Sequence, residues 1–170
     1  MRVNIPEDDD VTASAIARYN TILRNSSTGT PNSTIVANVS ISVDPSTDTD
    51  VLGLSTPYNY SLQLAEGAST ILLNAASRFG VAHGLETIAQ LYARNTSNEF
   101  SKFTVVDGPT FPYRAIMIDC GRRFVPIRTL KELLDGMSYS KMSVLNLHAS
   151  EYGSFRVQVN AVVCVSSYAS

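Results

Sequence analysis

Two stretches of the 170-residue sequence end in side chains that could do chemistry, and they lie close together in the chain. In the first, the apolar run Ala115-Ile116-Met117-Ile118 gives way to the carboxylate of Asp119 and, three residues on, to the guanidinium of Arg122. The second, Met142-Ser143-Val144-Leu145-Asn146-Leu147, ends in His148, Ser150 and Glu151. A guanidinium is a planar fork that donates several hydrogen bonds at once, a shape suited to gripping hydroxyls. A neighbouring carboxylate can hold such a fork in place, and Asp119 stands where it could do so for Arg122. Two plainer alternatives stay open: a surface salt bridge between Arg122 and Asp119, or Asp119 as a helix-start carboxylate worth a few tenths to about 1 kcal/mol. None of these residues is expected to make a metal site, because one histidine and one carboxylate are too few ligands.

The elements that must position these groups can be read from the same stretch. Each apolar run is too short for a helix and carries its polar groups at the end, the pattern of a buried parallel strand. Between the runs, Ile127, Leu130, Leu133, Leu134 and Met137 recur at helical spacing. The predicted unit is strand, crossover helix, strand, with candidate chemistry at both strand ends.

The order Asp119, Arg122, Phe124, Pro126, then a helix ending near Met137-Ser138-Tyr139-Ser140-Lys141, then Leu145-Asn146-Leu147-His148 with Glu151, Ser154 and Phe155, resembles the start of the catalytic barrel of family 20 glycoside hydrolases, the β-N-acetylhexosaminidases. Upstream, Gly80 to Leu91 is similar to the segment that family carries just before its barrel. The resemblance implies removal of terminal non-reducing N-acetyl-β-D-hexosamine residues from glycans with retention, the acetamido carbonyl of the substrate serving as nucleophile in place of a second carboxylate. It also implies an Asp-Glu pair on a later strand, one member orienting the acetamide and the other protonating the leaving oxygen. No acidic residue follows Glu151. The catalytic pair is therefore expected to be absent, and the 170 residues inactive alone.

The same resemblance assigns substrate binding to Arg122, as the arginine that grips hydroxyls of the terminal sugar, and to His148 and Glu151 lining the same pocket. The family has Asp where this chain has Glu151. Asp119 is implied as the carboxylate behind Arg122. No cofactor and no metal is implied. The expected partner is a terminal N-acetylhexosamine of a glycan, and a homo-oligomer stays open for a full-length parent. The competing expectation is a non-catalytic glycan-binding or assembly module that kept Arg122.

Ahead of these motifs, Asp8-Asp9-Asp10 reads as a capping cluster for a helix running from Ala13 through Leu23. A strand is predicted over Thr34 to Val43. The carboxylates Asp44, Asp48 and Asp50 in the next connector lack the glycine and distal glutamate of a calcium loop. Tyr58, Tyr60, Leu62 and Leu64 alternate with polar residues, and Glu66-Gly67-Ala68-Ser69 turns them into Thr70 to Ala76 as an antiparallel hairpin. A helix with Val81, Leu85, Ile88, Ala89 and Leu91 on one side follows. Its lone His83 is assigned no role. A last strand surrounds Phe103 to Val106, and Asp107 to Pro112, with two prolines and a glycine, is the linker. The expected fold is an α+β accessory domain, an antiparallel sheet with helices, over residues 1–108. Residues 109–170 are expected to form the first β-α-β of an incomplete (β/α)8 TIM barrel, because a closed barrel takes about 250 residues. After Arg156 the resemblance stops, and Val157 to Val165 reads as an apolar strand-like tail, which suggests a truncated or misread gene product.

Composition bounds the function. With 44% hydrophobic and 16% charged residues the chain can build a core, and a net charge of -2 argues against a nucleic-acid footprint. No stretch approaches the roughly 20 apolar residues of a spanning helix. Met1-Arg2 is followed by Asn4, Pro6 and three aspartates, which is not the apolar core of a signal peptide. Cys120 and Cys164 are expected to be free thiols. Acceptor sequons stand at Asn25, Asn32, Asn38, Asn59 and Asn95, with none later. Their distribution favours a lysosomal or secreted parent whose N-terminus lies upstream of Met1.

Overall fold

The strand Thr70–Ala75 (β3) shows most plainly how the sequence builds this molecule: Ile71, Leu73 and Ala75 are buried while Leu72 and Asn74 face outward. Period-two alternation puts every second side chain on one face, so burying that face fixes the register. The same alternation holds in Asn38–Val43 (β1), with Val39 and Ile41 inward, and in Tyr60–Leu64 (β2), with Tyr60, Leu62 and Leu64 inward. These strands belong to the first of two compact units, Met1–Pro112, the second being Tyr113–Ser170. The computed structural model describes residues 10–26, 38–94, 100, 102–151 and 154–155. Asp8, Asp9, Asn32, residues 34–37 of the predicted strand, Asn95, Cys164 and the predicted tail strand lie outside the described residues, as does the side chain of Asn25.

In the first unit, β2 and β3 form the antiparallel hairpin, with Leu62 opposite Leu73. Gly67 occupies its turn at φ 71°, a backbone region glycine enters without the Cβ penalty. Phe103–Asp107 (β4) pairs antiparallel with the other edge of β2. The expectation of a purely antiparallel sheet is overturned at β1, which runs parallel to β3 with Ile41 opposite Leu73. The sheet order is β1-β3-β2-β4. The connection after β1 carries the chain past the neighbouring position to β2, and the hairpin then returns β3 into the gap. Being the hairpin partner of β2 makes β3 antiparallel to it and parallel to β1.

Helices Asp10–Ser26 (α1) and Arg78–Arg94 (α2) complete this unit, placing Ile16 and Tyr19 from one and Val81, Leu85, Ile88 and Ala89 from the other in the core. Each fully buried Leu or Ile contributes roughly 1.5–3 kcal/mol of transfer free energy. Close approach of α2 to the sheet depends on Gly84, where an added Cβ would collide with the side chain of Leu73. The N-terminus of α2 is satisfied by Ser77 Oγ, which accepts the Gly80 N–H at 3.3 Å, and by Asp48 Oδ1, which accepts the Arg78 N–H at 2.9 Å. Asp48 and Asp50 also grip the Arg78 side chain, so the cation these carboxylates hold is a guanidinium. His83 stacks on Tyr58 with ring centroids 4.9 Å apart. Glu86 is buried, yet accepts from Tyr19 Oη at 2.9 Å and Gln90 Nε2 at 2.8 Å, which joins α1 to α2 through a paired carboxylate. Tyr60 Oη lies 2.6 Å from both Thr87 Oγ1 and Asp107 Oδ2, tying the end of β4 to α2.

The second unit contains Ala115–Asp119 (β5), Ile127–Tyr139 (α3) and Val144–His148 (β6), and β5 pairs parallel with β6. Pro126 precedes α3 and offers its carbonyl to the Leu130 N–H at 3.1 Å. The helix ends in a Schellman motif: Met142 N–H bonds the Met137 carbonyl at 2.9 Å and Lys141 N–H bonds that of Ser138 at 3.1 Å. Lys141 holds the left-handed position at φ 54°, where glycine is more usual. The chain then turns directly into β6, because Ser143 and Val144 both donate to the Arg114 carbonyl at the start of β5. Two short strands, Ser150–Glu151 (β7) and Ser154–Phe155 (β8), pair antiparallel beyond β6. Among the described residues no helix is long and apolar enough to cross a membrane.

Candidate functional site

Parallel pairing of β5 and β6 sets Asp119 directly opposite His148, so the two strand ends open at the same level. The Cys120 and Gly121 amides both donate to the His148 carbonyl, at 2.8 and 3.1 Å, which fastens the turn after β5 to the end of β6. That turn carries Arg122. Its amide donates to Asp119 Oδ1 at 3.0 Å, and its Nε sits 3.3 Å from Asp119 Oδ2. From β7, just beyond β6, Glu151 Oε1 accepts the same Nε–H at 2.8 Å. His148 Nε2 lies 3.7 Å from that Glu151 oxygen.

The four residues singled out in the sequence are thus brought together at one edge of the second unit. The Asp119–Arg122 salt bridge is present, but the shorter contact of Arg122 is with Glu151. Hydrogen bonding to Glu151, followed by the negative charges of Glu151 and Asp119, pushes the guanidinium of Arg122 above its ordinary range. The Arg122 side chain is 75% exposed while those of Asp119 and Glu151 are 31% and 29% exposed. The carboxylates therefore form the floor, and the guanidinium lies over them with much of its donor fork turned to solvent. Such an arrangement presents fixed donors to a hydroxyl-rich ligand, with the carboxylates holding the fork.

The ligand count made from the sequence needs correction. Asp119, His148 and Glu151 place one potential ligand atom each within 4.8 Å of one another, two carboxylates and a histidine rather than one of each. Counting within the second strand end misses Asp119, which the parallel register brings across. Arg122 supplies a positive charge at this point and offsets one of the two carboxylates. Cys120, between Asp119 and Gly121, is a buried free thiol. Among the sequons, Asn38 begins β1 and is partly buried, and Asn59 is exposed just before β2.

Comparison with known proteins gives a consistent picture. The description "Glycosyl hydrolase family 20, catalytic domain" matches residues 111–169, which carries the likeness past Arg156, where it was expected to stop, and "beta-acetyl hexosaminidase like" matches residues 5–91. Beta-hexosaminidase 3 of Arabidopsis thaliana is 31% identical over 141 residues, covering 80% of this chain and 26% of the relative. Beta-hexosaminidase subunit beta of Mus musculus is 36% identical over 107 residues, covering 62% of this chain and 20% of the relative. The structure superposes on the chitobiase of Flavobacterium johnsoniae with a TM-score of 0.73 at 27% identity, over 95% of this chain and 25% of that one. Each of these descriptions is of a glycoside hydrolase. The chain belongs to family 20 of that class, the β-N-acetylhexosaminidases, and its mixed α/β fold is shared with enzymes of that family. It spans about a quarter of the length of the relatives it matches.

Proposed function

We propose that this chain supplies part of the terminal-sugar pocket of a β-N-acetylhexosaminidase acting on terminal non-reducing N-acetyl-β-D-hexosamine residues of glycans. The observation that carries this reading is the convergence of Arg122, Asp119, Glu151 and His148 at the adjoining ends of two parallel strands. Polar side chains from the C-terminal ends of parallel strands are where barrel enzymes build their sites. Arg122 donates to sugar hydroxyls, Asp119 and Glu151 hold its fork, and His148 lines the pocket. Residues 1–108 act as an accessory α+β domain and 109–170 as the opening β-α-β of the catalytic barrel. Five sequons and the hexosamine chemistry fit a lysosomal or secreted parent. Acid catalysis at the glycosidic oxygen needs a carboxylic acid that the sequence after Glu151 does not contain. Glycan recognition without turnover is therefore the activity we assign to the 170 residues by themselves.

The test is a chimera in which residues 1–155 replace the matching segment of Arabidopsis beta-hexosaminidase 3. Release of a chromogenic leaving group from an N-acetylglucosaminide, abolished by Arg122→Ala, is the expected result. A soluble, folded chimera that is inactive, or one indifferent to Arg122→Ala, would refute the assignment.

A further inference from the structure

Gly121 lies against Ser150 and Glu151, beside the point where Arg122 and Glu151 meet. It is buried, and its amide is held by the His148 carbonyl, so the backbone cannot slide away from β7. A Cβ built on Gly121 would stand 3.0 Å from Glu151 Cγ, 3.0 Å from the Ser150 carbonyl carbon and 3.1 Å from the Glu151 amide nitrogen. Those separations are tighter than ordinary van der Waals contact, and two of the three atoms are backbone that is itself paired in β7. The atom most able to yield is Glu151 Cγ, and moving it swings the carboxylate that accepts the Arg122 Nε–H at 2.8 Å.

We propose that Gly121 is a positioning residue for the Arg122–Glu151 pair: its missing side chain is the space that the Glu151 side chain fills on its way to the guanidinium. Any side chain at 121 trades that space for a displaced carboxylate and leaves Arg122 held by Asp119 alone. The role deepens the sugar-pocket reading and rests on it only for its effect on substrate. The geometric claim stands on the two residues themselves.

The experiment uses the 170-residue chain labelled with ¹⁵N-arginine and follows the Arg122 Nε–H resonance across acid pH, assigned by its loss in Arg122→Lys. In the native chain the signal is displaced from those of solvated arginines and moves as the carboxylates protonate. In Gly121→Ala the displacement is lost and the residual pH response is that of Asp119 alone, while in Glu151→Ala the further change Gly121→Ala leaves the signal where it was. Retention of the native resonance in Gly121→Ala overturns the proposal, as does an equal effect of Gly121→Ala in both backgrounds. If Gly121→Ala fails to fold, the double variant decides: a folded Gly121→Ala/Glu151→Ala chain supports the proposal, and an unfolded one shows that backbone contact alone demands the glycine and overturns it. Titration with N-acetylglucosamine is read separately, since absence of binding with the native Arg122 signal intact would count against the pocket and not against Gly121.

Discussion

Leu73→Ala, alone and combined with Gly84→Ala, tests the helix-on-sheet packing on which the first unit depends. Leu73 is fully buried at the centre of the sheet, between Ile41 of β1 and Leu62 of β2. Truncating it removes three buried carbons and leaves a cavity bounded by strands that cannot collapse independently, which places the loss at about 2–5 kcal/mol. For a unit of this size that corresponds to a drop in Tm of roughly 8 °C or more. The second substitution is chosen because α2 passes so close at Gly84 that a methyl group would strike the Leu73 side chain. In the native background Gly84→Ala therefore incurs overpacking of about 1–3 kcal/mol, against a gain in helix propensity of about 1 kcal/mol. In the Leu73→Ala background the obstruction by Leu73 is gone, leaving only the ring edge of Tyr60 at 3.2 Å, the propensity gain remains, and the new methyl fills part of the cavity. Gly84→Ala should accordingly destabilise the native chain and stabilise Leu73→Ala, a reversal of sign that urea unfolding followed by far-UV circular dichroism would resolve. Equal effects of Gly84→Ala in the two backgrounds, or a loss below about 1 kcal/mol for Leu73→Ala, would refute the packing argument.

Three further outcomes are expected. The purified 170-residue chain should release no chromogen from an N-acetylglucosaminide, since a positioned general acid typically supplies about 10²–10⁴-fold; turnover that survives repurification and vanishes in Glu151→Gln would contradict this. In the active chimera, Arg122→Lys should lower kcat/KM by roughly ten-fold to more than a hundred-fold, because the charge survives but the fork does not, and should leave Tm nearly unmoved; a large fall in Tm with normal kcat/KM would make Arg122 purely structural. Finally, hydrogen bonding to Arg78 lowers the pKa of Asp48 below its usual 3.8. A depressed carboxylate contributes stability that is present above 3.8 and is lost as pH falls through the lower folded value, so acid unfolding of Asp48→Asn should be less steep in that window, and identical acid limbs would contradict it.

Much of this architecture can be read from the sequence because it follows local patterns. The apolar runs at Ala115–Ile118 and Val144–Leu147 and the spacing from Ile127 to Met137 correspond to β5, β6 and α3. The hairpin is visible for the same reason, since β2, the turn and β3 are contiguous. What escapes are relations between distant residues. Nothing in Asn38–Val43 indicates that its partner is β3 in parallel, because the return of β3 is decided by the whole sheet. The burial of Glu86 is hidden in a helix that carries charge elsewhere, and the positions of Tyr19 and Gln90 account for it. At the site, residue types and the family resemblance single out Arg122, Asp119, His148 and Glu151 as candidates, whereas the preference of Arg122 for Glu151 and the crowding at Gly121 are matters of a few tenths of an ångström. A scan for small residues beside a strand-end arginine would flag Gly121 without explaining it.

The place of β3 between two earlier strands also sets a schedule for synthesis. When β1 leaves the ribosome, β3, its neighbour among the described strands, has not been made, and β2, the next strand to emerge, is not that neighbour. The first pairing open to the chain is the β2–β3 hairpin, closed by a turn of a few residues, with β1 joining its free edge afterwards. Translation at about 5–20 residues per second leaves β1 waiting for roughly two to six seconds with Val39 and Ile41 uncovered. During that interval the Asn38-Val39-Ser40 sequon is unpaired, whereas afterwards the Asn38 backbone N–H donates to the Ser69 carbonyl at 3.2 Å and its strand is paired in the sheet. Attachment at Asn38, whose side chain is partly buried in the finished sheet, is accordingly expected to be easiest while the strand is still waiting.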